Sequence, residues 1–310
     1  MAIETDEIKK YYILAKNWWN VNDFLYIIFT YIIAHLFNGN FKIFLFLVEE
    51  IIIIPIFIAL DKSKKNRNEV LFGMFIFYCF MYNVTFNMVR QSIAIAFSIL
   101  SLYYLQNNKK IKATLLLIVS IGFHKVAMID IEIYFIYWVY LLLNKRSYKE
   151  SNIFFICIYI ASIILVICYK NIIYFLANIG IYKQGILYLQ RYSKFDFSFM
   201  DTFSYIFMIF IFIKNKKILK EKNVDFDFFQ FLGIESLILL QIGAFIQYAE
   251  RASFYFFYPF MLYGIPKIAT VNEKNKKIDY ILLILFLIAY WFFSFVILRS
   301  HNTVPYIMAQ

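Results

Sequence analysis

Two apolar segments joined by a basic turn each carry ionisable side chains at the far end. The first opens on Arg90 and Gln91; the second follows the turn Asn107-Asn-Lys-Lys-Ile-Lys112 and ends on His124 and Lys125. Because a short turn makes such segments antiparallel, Arg90 and His124 are predicted to lie at the same membrane face. Arg suits a forked grip on pyrophosphate oxygens, and His can take the proton from an attacking hydroxyl.

The length of the two segments bears on how deep these groups lie. Gln91–Gln106 makes about 24 Å of helix and Ile111–Phe123 about 20 Å, against a hydrocarbon core of about 30 Å. If both begin at one surface, Arg90 and His124 lie below the other interface, where ionisable groups need a water-filled cavity or partners and are candidates for function. The alternative is that Arg90 and Lys125 extend to the headgroups while His124 is a satisfied turn residue.

The composition predicts an all-α, polytopic integral membrane protein. Of its 310 residues, 63% are hydrophobic and 22% aromatic, and the apolar residues occur in blocks long enough to cross a bilayer. We expect a single transmembrane domain over 1–310 with about ten spans, in which 1–40 is an interfacial and short first segment. The predicted segments are Phe24–Phe37 (short), Phe41–Leu60, Val70–Val89, Gln91–Gln106, Ile111–Phe123, Val126–Leu143, Ile153–Tyr169, Phe199–Ile213, Phe226–Tyr248, Ala252–Ala269 and Ile278–Leu298.

The basic residues predict the orientation of the chain. Five clusters alternate with pairs of apolar segments, so all five can lie on one side, which the positive-inside rule makes the cytoplasm. The clusters hold eighteen Lys and Arg residues, against eight in the opposite connections. They are Lys62 to Arg67, Lys109 to Lys112, Lys145 to Lys149, Lys214 to Lys222 and Lys274 to Lys277. Arg90, His124 and the C-terminus are then extracytoplasmic.

A second set of candidates lies later in the chain. Glu250 and Arg251 stand side by side in an apolar block, where they pair with each other at the membrane surface or meet a ligand. Tyr255, in the aromatic run after them, belongs either to a wall for sugar rings or to an interfacial belt. The long loop 170–198, predicted to be extracytoplasmic, carries Arg191; it would suit an anionic, sugar-bearing ligand, and a plain solvated loop fits it equally.

The remaining polar and cysteine residues give weaker signals. Of Glu49 and Glu50, in the middle of a span, at least one must face protein or water, either in a site or in a hydrogen bond between helices. His35 is expected to be structural, and His301 is a weak second candidate. The cysteines, Cys79, Cys157 and Cys168, lie in apolar runs without metal-ligand spacing, as expected for core packing.

The sequence has no Gly-rich phosphate loop and no His/Cys cluster, so we predict no cofactor, no metal and no nucleic-acid partner. An extracytoplasmic cavity has no ATP or nucleotide sugars available. If the site lined by Arg90 and His124 is enzymatic, its donor must therefore arrive linked to a lipid.

Two stretches resemble the EpsG family of polysaccharide polymerases, which are Wzy-like membrane proteins. They are Val89-Arg-Gln-Ser-Ile-Ala-Ile-Ala-Phe97 and, after the Asn/Lys turn, Ser120-Ile-Gly-Phe-His-Lys-Val-Ala-Met-Ile129. Arg251 followed by Phe254-Tyr-Phe256 is similar to a later motif of the family. The family's early stretch Arg-Tyr-x-x-Gly-x-Asp-Tyr has no counterpart here.

The resemblance implies a membrane glycosyltransferase of GT-C/Wzy-like architecture in the bacterial inner membrane. It would polymerise oligosaccharide repeat units of a capsule or exopolysaccharide, linked to undecaprenyl pyrophosphate, and a chain-length regulator is a possible partner. Arg90 and Arg251 would neutralise the leaving pyrophosphate, with Lys125 nearby and Arg191 closing over it. His124 or Glu250 would be the base, and Gln91 and Tyr255 would position sugar.

Two other functions fit the same sequence. A flippase or transporter of lipid-linked oligosaccharide would need charged residues through the whole membrane depth, whereas the candidates cluster at one face. A membrane acyltransferase that modifies surface polysaccharide would need its His on the path of a cytoplasmic acyl donor, and His124 is predicted on the other side.

This orientation is testable by labelling. A cysteine introduced near position 124 should react with a membrane-impermeant thiol reagent added outside intact cells. Labelling that requires opened cells would place His124 at the cytoplasmic face and contradict the orientation.

Overall fold

The structure is a computed structural model that describes residues 23–63, 66–144, 148–180, 197–221, 225–244, 247–270, 274–300 and 303. Every regular element in those ranges is helical, which confirms the all-α prediction. The α-helices are α1 (Phe24–Leu36), α2 (Phe41–Ser63), α3 (Arg67–Ile76), α4 (Tyr82–Thr85), α5 (Val89–Gln106), α6 (Lys110–Phe123), α7 (Ile129–Asn144), α8 (Tyr148–Asn178), α9 (Phe199–Lys214), α10 (Lys216–Glu221), α11 (Phe226–Gly243), α12 (Gln247–Pro259) and α13 (Lys274–Trp291).

Shorter helical turns of other types link or extend these helices. π-helical segments follow α3, α12 and α13, and 3₁₀ turns precede α7 and follow the second π-helical segment. They are Phe77–Met81, Phe260–Gly264 and Phe292–Ile297 (π), and Lys125–Met128 and Ile265–Thr270 (3₁₀).

Several helices are apolar enough to lie in a bilayer. Within the part of the chain that the structure describes, four stretches have both the length and the hydropathy to cross one: Phe41–Ser63, Lys125–Leu143, Phe226–Gly243 and Lys277–Ile297. Helix α13 is an example of such an apolar surface, because Ile281, Leu285 and Ile288 are exposed along one face of it. Such a face is stable against acyl chains and costly in water. The chain is thus a membrane protein, while the count of about ten spans stays a prediction.

Two segment boundaries differ from the prediction. The segment predicted to end at Tyr169 continues as α8 to Asn178, so the loop predicted at 170–198 begins later. A Lys such as Lys170 ends an apolar run without ending a helix, which explains the error. The segment predicted as Phe226–Tyr248 is two helices, because the chain turns after Gly243, inside an apolar run where hydropathy gives no signal.

The packing divides the chain into two compact units, which are described separately. Unit 1 comprises Met1–Asp130 and Trp291–Gln310, and unit 2 comprises Ile131–Tyr290.

In unit 1, helices α5 and α6 form a tight antiparallel hairpin. Small residues line the contact, and two of its serines bond the facing backbone: Ser101 Oγ donates to the Ala113 carbonyl (2.5 Å) and Ser120 Oγ to the Ala94 carbonyl (2.7 Å). Asn108 at the turn adopts a φ of 57°, a conformation that Asn tolerates better than most residues. These bonds fix the register, so that the start of α5 lies beside the end of α6.

Helix α1 approaches the end of α6 closely. A Cβ at Gly122 would lie 2.6 Å from Leu25 Cδ1, so glycine allows the two helices to come together here. Phe29 of α1 packs edge-on against Phe123, with ring centroids 6.0 Å apart. This contact brings Asp23, the residue before α1, to the end of the α5–α6 hairpin.

The opposite end of unit 1 is basic. Lys62, Lys109 and Lys112 surround Tyr104, each with its Nζ within 5.9 Å of the ring centroid, and Lys62 also donates to the Tyr104 hydroxyl (3.2 Å). The first two basic clusters thus share one end of unit 1, as the orientation argument requires of them.

The C-terminal part of unit 1 is held by a buried amide. Asn83 Nδ2 donates to Thr303 Oγ1 (2.9 Å), and Trp291 Nε1 donates to Asn83 Oδ1 (3.2 Å). Asn83 is completely buried and lies in α4, shortly before the start of α5. Thr303 therefore lies at the Arg90 end of unit 1, away from the Tyr104 lysines.

In unit 2, helix α11 is central and packs against α8, α9 and α12. Aromatic rings fill the contacts, for example Phe212 stacked on Phe226 with centroids 4.8 Å apart. At one end, Lys214 forms an ion pair with Asp279 (2.6 Å), which also accepts from Asn215 Nδ2 (3.1 Å). The fourth and fifth basic clusters therefore lie at the same end of unit 2.

The turn between α11 and α12 depends on Gly243. A Cβ there would lie 2.6 Å from Glu250 Cβ and 2.9 Å from its Cα and its N, and backbone atoms cannot shift cheaply. We expect Gly243→Ala to lower the free energy of unfolding by about 1–3 kcal/mol, measured as an earlier thermal transition of the detergent-solubilised protein.

The matched control for that variant is Gly233→Ala on the same helix. Its Cβ would meet only side-chain atoms, at 3.1 Å or more, so a smaller loss is expected. Equal or larger destabilisation by Gly233→Ala would contradict this account of the turn.

Candidate functional site

A buried carboxylate lies at the centre of the candidate site in unit 1. Asp23 Oδ2 forms an ion pair with Arg90 Nη1 at 2.6 Å, and Asp23 Oδ1 accepts from the backbone N–H of Lys125 at 3.2 Å. The side chain of Asp23 is only 5% exposed, against 31% for that of Arg90. One carboxylate thus joins the start of α5 to the turn after α6, and part of the Arg90 side chain remains accessible.

The local helix geometry explains why Arg90 needs this partner. Arg90 lies in the first turn of α5, where the positive end of the helix dipole disfavours a cation. A nearby carboxylate offsets this cost. Asp23 occupies the N-cap position of α1, yet its side chain caps no N–H of that helix. Its oxygens are directed to Arg90 and Lys125 instead.

Arg90 also contacts an aromatic ring. The guanidinium carbon lies 5.8 Å from the ring centroid of Tyr26, in the first turn of α1. Cation–π contact over a ring and an ion pair on one nitrogen restrict the guanidinium from two directions. The structure therefore holds Arg90 in a defined orientation.

His124 lies at the break between two helices. Its backbone is extended (φ −157°, ψ 121°), its N–H donates to the Ser120 carbonyl, and its carbonyl accepts from the Ala127 N–H. His124 as a whole residue is 7% exposed and therefore buried, whereas the neighbouring Lys125 is exposed. The structure thus brings Arg90 and the His124–Lys125 turn to one end of the α5–α6 hairpin, through Asp23.

Gln91, which is predicted to position sugar, is buried. It is 3% exposed, because its side chain points into the packed interior of unit 1. A direct contact with a sugar would require α5 to move. Its role stays a prediction. The sequence did not indicate its burial, because an apolar helix gives no amphipathic pattern from which the buried face can be read.

In unit 2, the predicted residues Glu250 and Arg251 lie in the first turns of α12, and both are half-buried. Tyr255, one turn further on, is completely buried. Its role as a contact for sugar stays a prediction, and its ring presents no accessible surface in this structure. Glu250 and Arg251 keep enough exposure to reach a ligand.

Glu250 belongs to a group of polar residues that the sequence analysis missed. We call it the Asp201 cluster: Asp201, Tyr205, Glu250, Tyr258 and Tyr290. Asp201 Oδ1 accepts from the Tyr290 hydroxyl at 2.9 Å, and the carboxylates of Asp201 and Glu250 both lie close enough to Tyr205 and Tyr258 to interact electrostatically.

The only sequence signal for this cluster was local. Ser198 precedes Asp201 by three residues, and its Oγ accepts from the Asp201 N–H (3.3 Å) as the N-cap of α9. That pattern predicts where the helix begins, but it does not predict that Tyr290, far along the chain, bonds the same carboxylate.

Three acidic residues inside apolar helices each accept a bond from a hydroxyl. Thr85 donates to Glu49 (2.9 Å), Ser98 to Asp130 (2.7 Å) and Ser162 to Glu235. Glu49 therefore follows the helix–helix alternative, and the sequence analysis missed the other two. Bonds of this kind are how buried carboxyls are usually accommodated in a membrane.

Two predicted candidates, Arg191 and His301, lie outside the described residues. Within the described ranges, the His, Cys, Asp and Glu residues form no group of three or more suited to a metal ion.

A family model described as the EpsG family matches residues 5–308, nearly the whole chain. No curated protein and no solved structure was found to match. The match agrees with the apolar helices in indicating a membrane protein of polysaccharide biosynthesis. The chain belongs to the EpsG family.

Proposed function

We propose that the protein polymerises oligosaccharide repeat units of a capsule or exopolysaccharide on the extracytoplasmic face of the bacterial inner membrane. Both substrates are carried on undecaprenyl pyrophosphate. The observation that carries this proposal is the ion pair of Arg90 with the buried Asp23 beside the His124–Lys125 turn. It provides an oriented guanidinium, an exposed ammonium and an imidazole at one end of one hairpin.

The reaction is an inverting glycosyl transfer. A hydroxyl oxygen of the incoming unit forms a bond to the anomeric carbon of the growing chain. The bond from that carbon to the pyrophosphate oxygen breaks, and its electron pair leaves with the lipid pyrophosphate. The hydroxyl proton passes to a base on the protein. The chain thus grows by one repeat unit, and one undecaprenyl pyrophosphate is released.

Arg90 has the chemistry needed by the leaving group. Negative charge builds on the pyrophosphate as the glycosidic bond breaks, and a preorganised cation in a site of low dielectric stabilises such charge strongly. Arg90 is preorganised by Asp23 and Tyr26 and remains 31% exposed on its side chain. Lys125, which is exposed, adds a second positive charge.

His124 is the first candidate for the base, because an imidazole has a pKa near neutrality and lies at the same turn as Lys125. Glu250 is the second, with the Asp201 cluster around it. Arg251 is proposed as a further contact for the pyrophosphate and Arg191 as a residue that closes over it. Gln91 and Tyr255, which are buried like His124, are proposed as the residues that position sugar.

The partners follow from the substrates. The lipid carriers must reach the site from the bilayer, so the apolar helices also serve as the path of the substrate. A chain-length regulator is proposed as a protein partner, because a polymerase needs a signal to stop.

The central prediction concerns Arg90 and His124. Arg90→Ala should reduce the polymerisation rate about 10²- to 10³-fold, the cost of losing one transition-state donor, and His124→Ala about 10²-fold or more, the cost of losing a general base. Cells should then accumulate single repeat units, which is measured as the size distribution of the surface polysaccharide on a gel. The amount of membrane-inserted protein should stay normal.

The matched controls are Arg67→Ala and His35→Ala. Arg67 and His35 are exposed residues away from the turn. Each control removes the same type of side chain, a guanidinium or an imidazole, as the variant that it matches. Wild-type chain lengths in both the Arg90 and the His124 variants would disprove the site assignment. An assay with purified protein and unpolymerised lipid-linked units also excludes a block in flipping as the cause.

The residues of α12 are tested in the same assay. Glu250→Gln and Arg251→Ala should each shorten the polymer, and Arg251→Lys should restore less than half of the activity if the forked geometry matters. Glu150→Gln, a change at an exposed acid of α8, is the control and should have no effect. Full activity in both α12 variants would remove unit 2 from the proposed chemistry.

A further inference from the structure

We infer that Asp23 is a positioning residue, which fixes Arg90 and the His124–Lys125 turn in one arrangement. This inference rests on the proposed function. Asp23 lies directly before α1 and 67 residues away from Arg90 in sequence, and no signal in the chain marks it as part of a site. The structure assigns it through two contacts, one from each carboxylate oxygen.

The two oxygens of this carboxylate contact two different parts of unit 1. Oδ2 takes the Arg90 guanidinium, and Oδ1 takes the backbone N–H of Lys125. The same side chain therefore sets the position of a side chain on α5 and of the backbone after α6. Any displacement of Asp23 would move the proposed anion-binding group and the turn that carries the proposed base with respect to each other.

Stability alone does not account for this placement. A buried ion pair contributes little net stability, because the desolvation of its charges offsets their attraction. An Asp at an N-cap position usually stabilises its own helix by accepting from an N–H of the first turn. Asp23 makes no such bond, although it occupies the N-cap position of α1. Its carboxylate is instead committed to Arg90 and Lys125.

The asymmetry in exposure shows which partner meets the ligand. The Asp23 side chain is 5% exposed and the Arg90 side chain 31%. A guanidinium has five N–H donors in a rigid fork, so a carboxylate at Nη1 defines where the donors on Nη2 and Nε point. Asp23 thus acts through Arg90: it orients the fork from behind, and the pyrophosphate oxygens approach from the accessible side.

The test uses the full-length protein in lipid and compares Asp23→Asn with Asp23→Glu. The amide oxygen of Asn can still accept from the Lys125 N–H, so this variant removes the charge and retains the second contact. We expect the turnover number, measured on the monodisperse fraction of the protein, to fall about 10- to 100-fold, which is the cost of a misplaced catalytic group. The Kd for inorganic pyrophosphate should stay within about threefold, because Arg90 keeps its charge and its accessible side chain and only its position relative to the His124–Lys125 turn is lost. Asp23→Glu should recover part of the turnover.

The charge-swapped double variant, Asp23→Arg with Arg90→Asp, covers the case in which Asp23→Asn does not fold. The swap restores an ion pair but moves the cation to the buried position. We expect the yield of monodisperse protein to recover while turnover stays at least about tenfold below wild type. Recovery of turnover together with yield would show that Asp23 only stabilises the fold, and would overturn the inference.

The other outcomes separate the inference from the function on which it rests. Wild-type turnover in Asp23→Asn would also overturn the positioning role, and the proposed polymerase would be unaffected. If the wild-type protein itself joined no lipid-linked units, the proposed function would fail, whatever the Asp23 variants did.

Discussion

The interaction on which the rest depends is the contact of one buried carboxylate with a cation and a backbone N–H. Asp23 is 4% exposed, and it lies where the start of α5 and the end of α6 meet. Removing a carboxylate from water is costly, and the close contacts with Arg90 and Lys125 offset that cost. The hairpin provides those partners because Ser101 and Ser120 fix its register, and Gly122 lets α1 come close enough to deliver Asp23.

This arrangement also explains how a charged site can exist in so apolar a chain. Other acids within the helices, such as Glu49 and Asp130, each accept a bond from a hydroxyl on a neighbouring helix. Those contacts join helices to each other and resemble the polar contacts usual in membranes. Arg90 differs from these acids because it is a cation with an accessible side chain. That difference makes it the group best suited to a negatively charged ligand.

The sequence predicted the helical class, the membrane setting and the proximity of Arg90 to the His124–Lys125 turn. All three depend on local properties: apolar run length, charge alternation and a short turn. It did not predict Asp23 or the contact of Asp201 with Tyr290, since partners far apart in the chain leave no periodic signal. It did not predict the burial of Gln91 and Tyr255, for a different reason. In an apolar helix, the lipid-facing and core-facing sides have the same composition, so burial cannot be read from the pattern.

The claim that Arg90 binds the pyrophosphate of a lipid-linked sugar is tested most directly by affinity. The measurement is the Kd of undecaprenyl pyrophosphate for the full-length protein in lipid nanodiscs, with Arg90→Gln compared with wild type and Arg67→Gln as control. Loss of a charge-assisted contact should weaken binding about tenfold or more, and the control should match wild type. An unchanged Kd in Arg90→Gln would contradict the account.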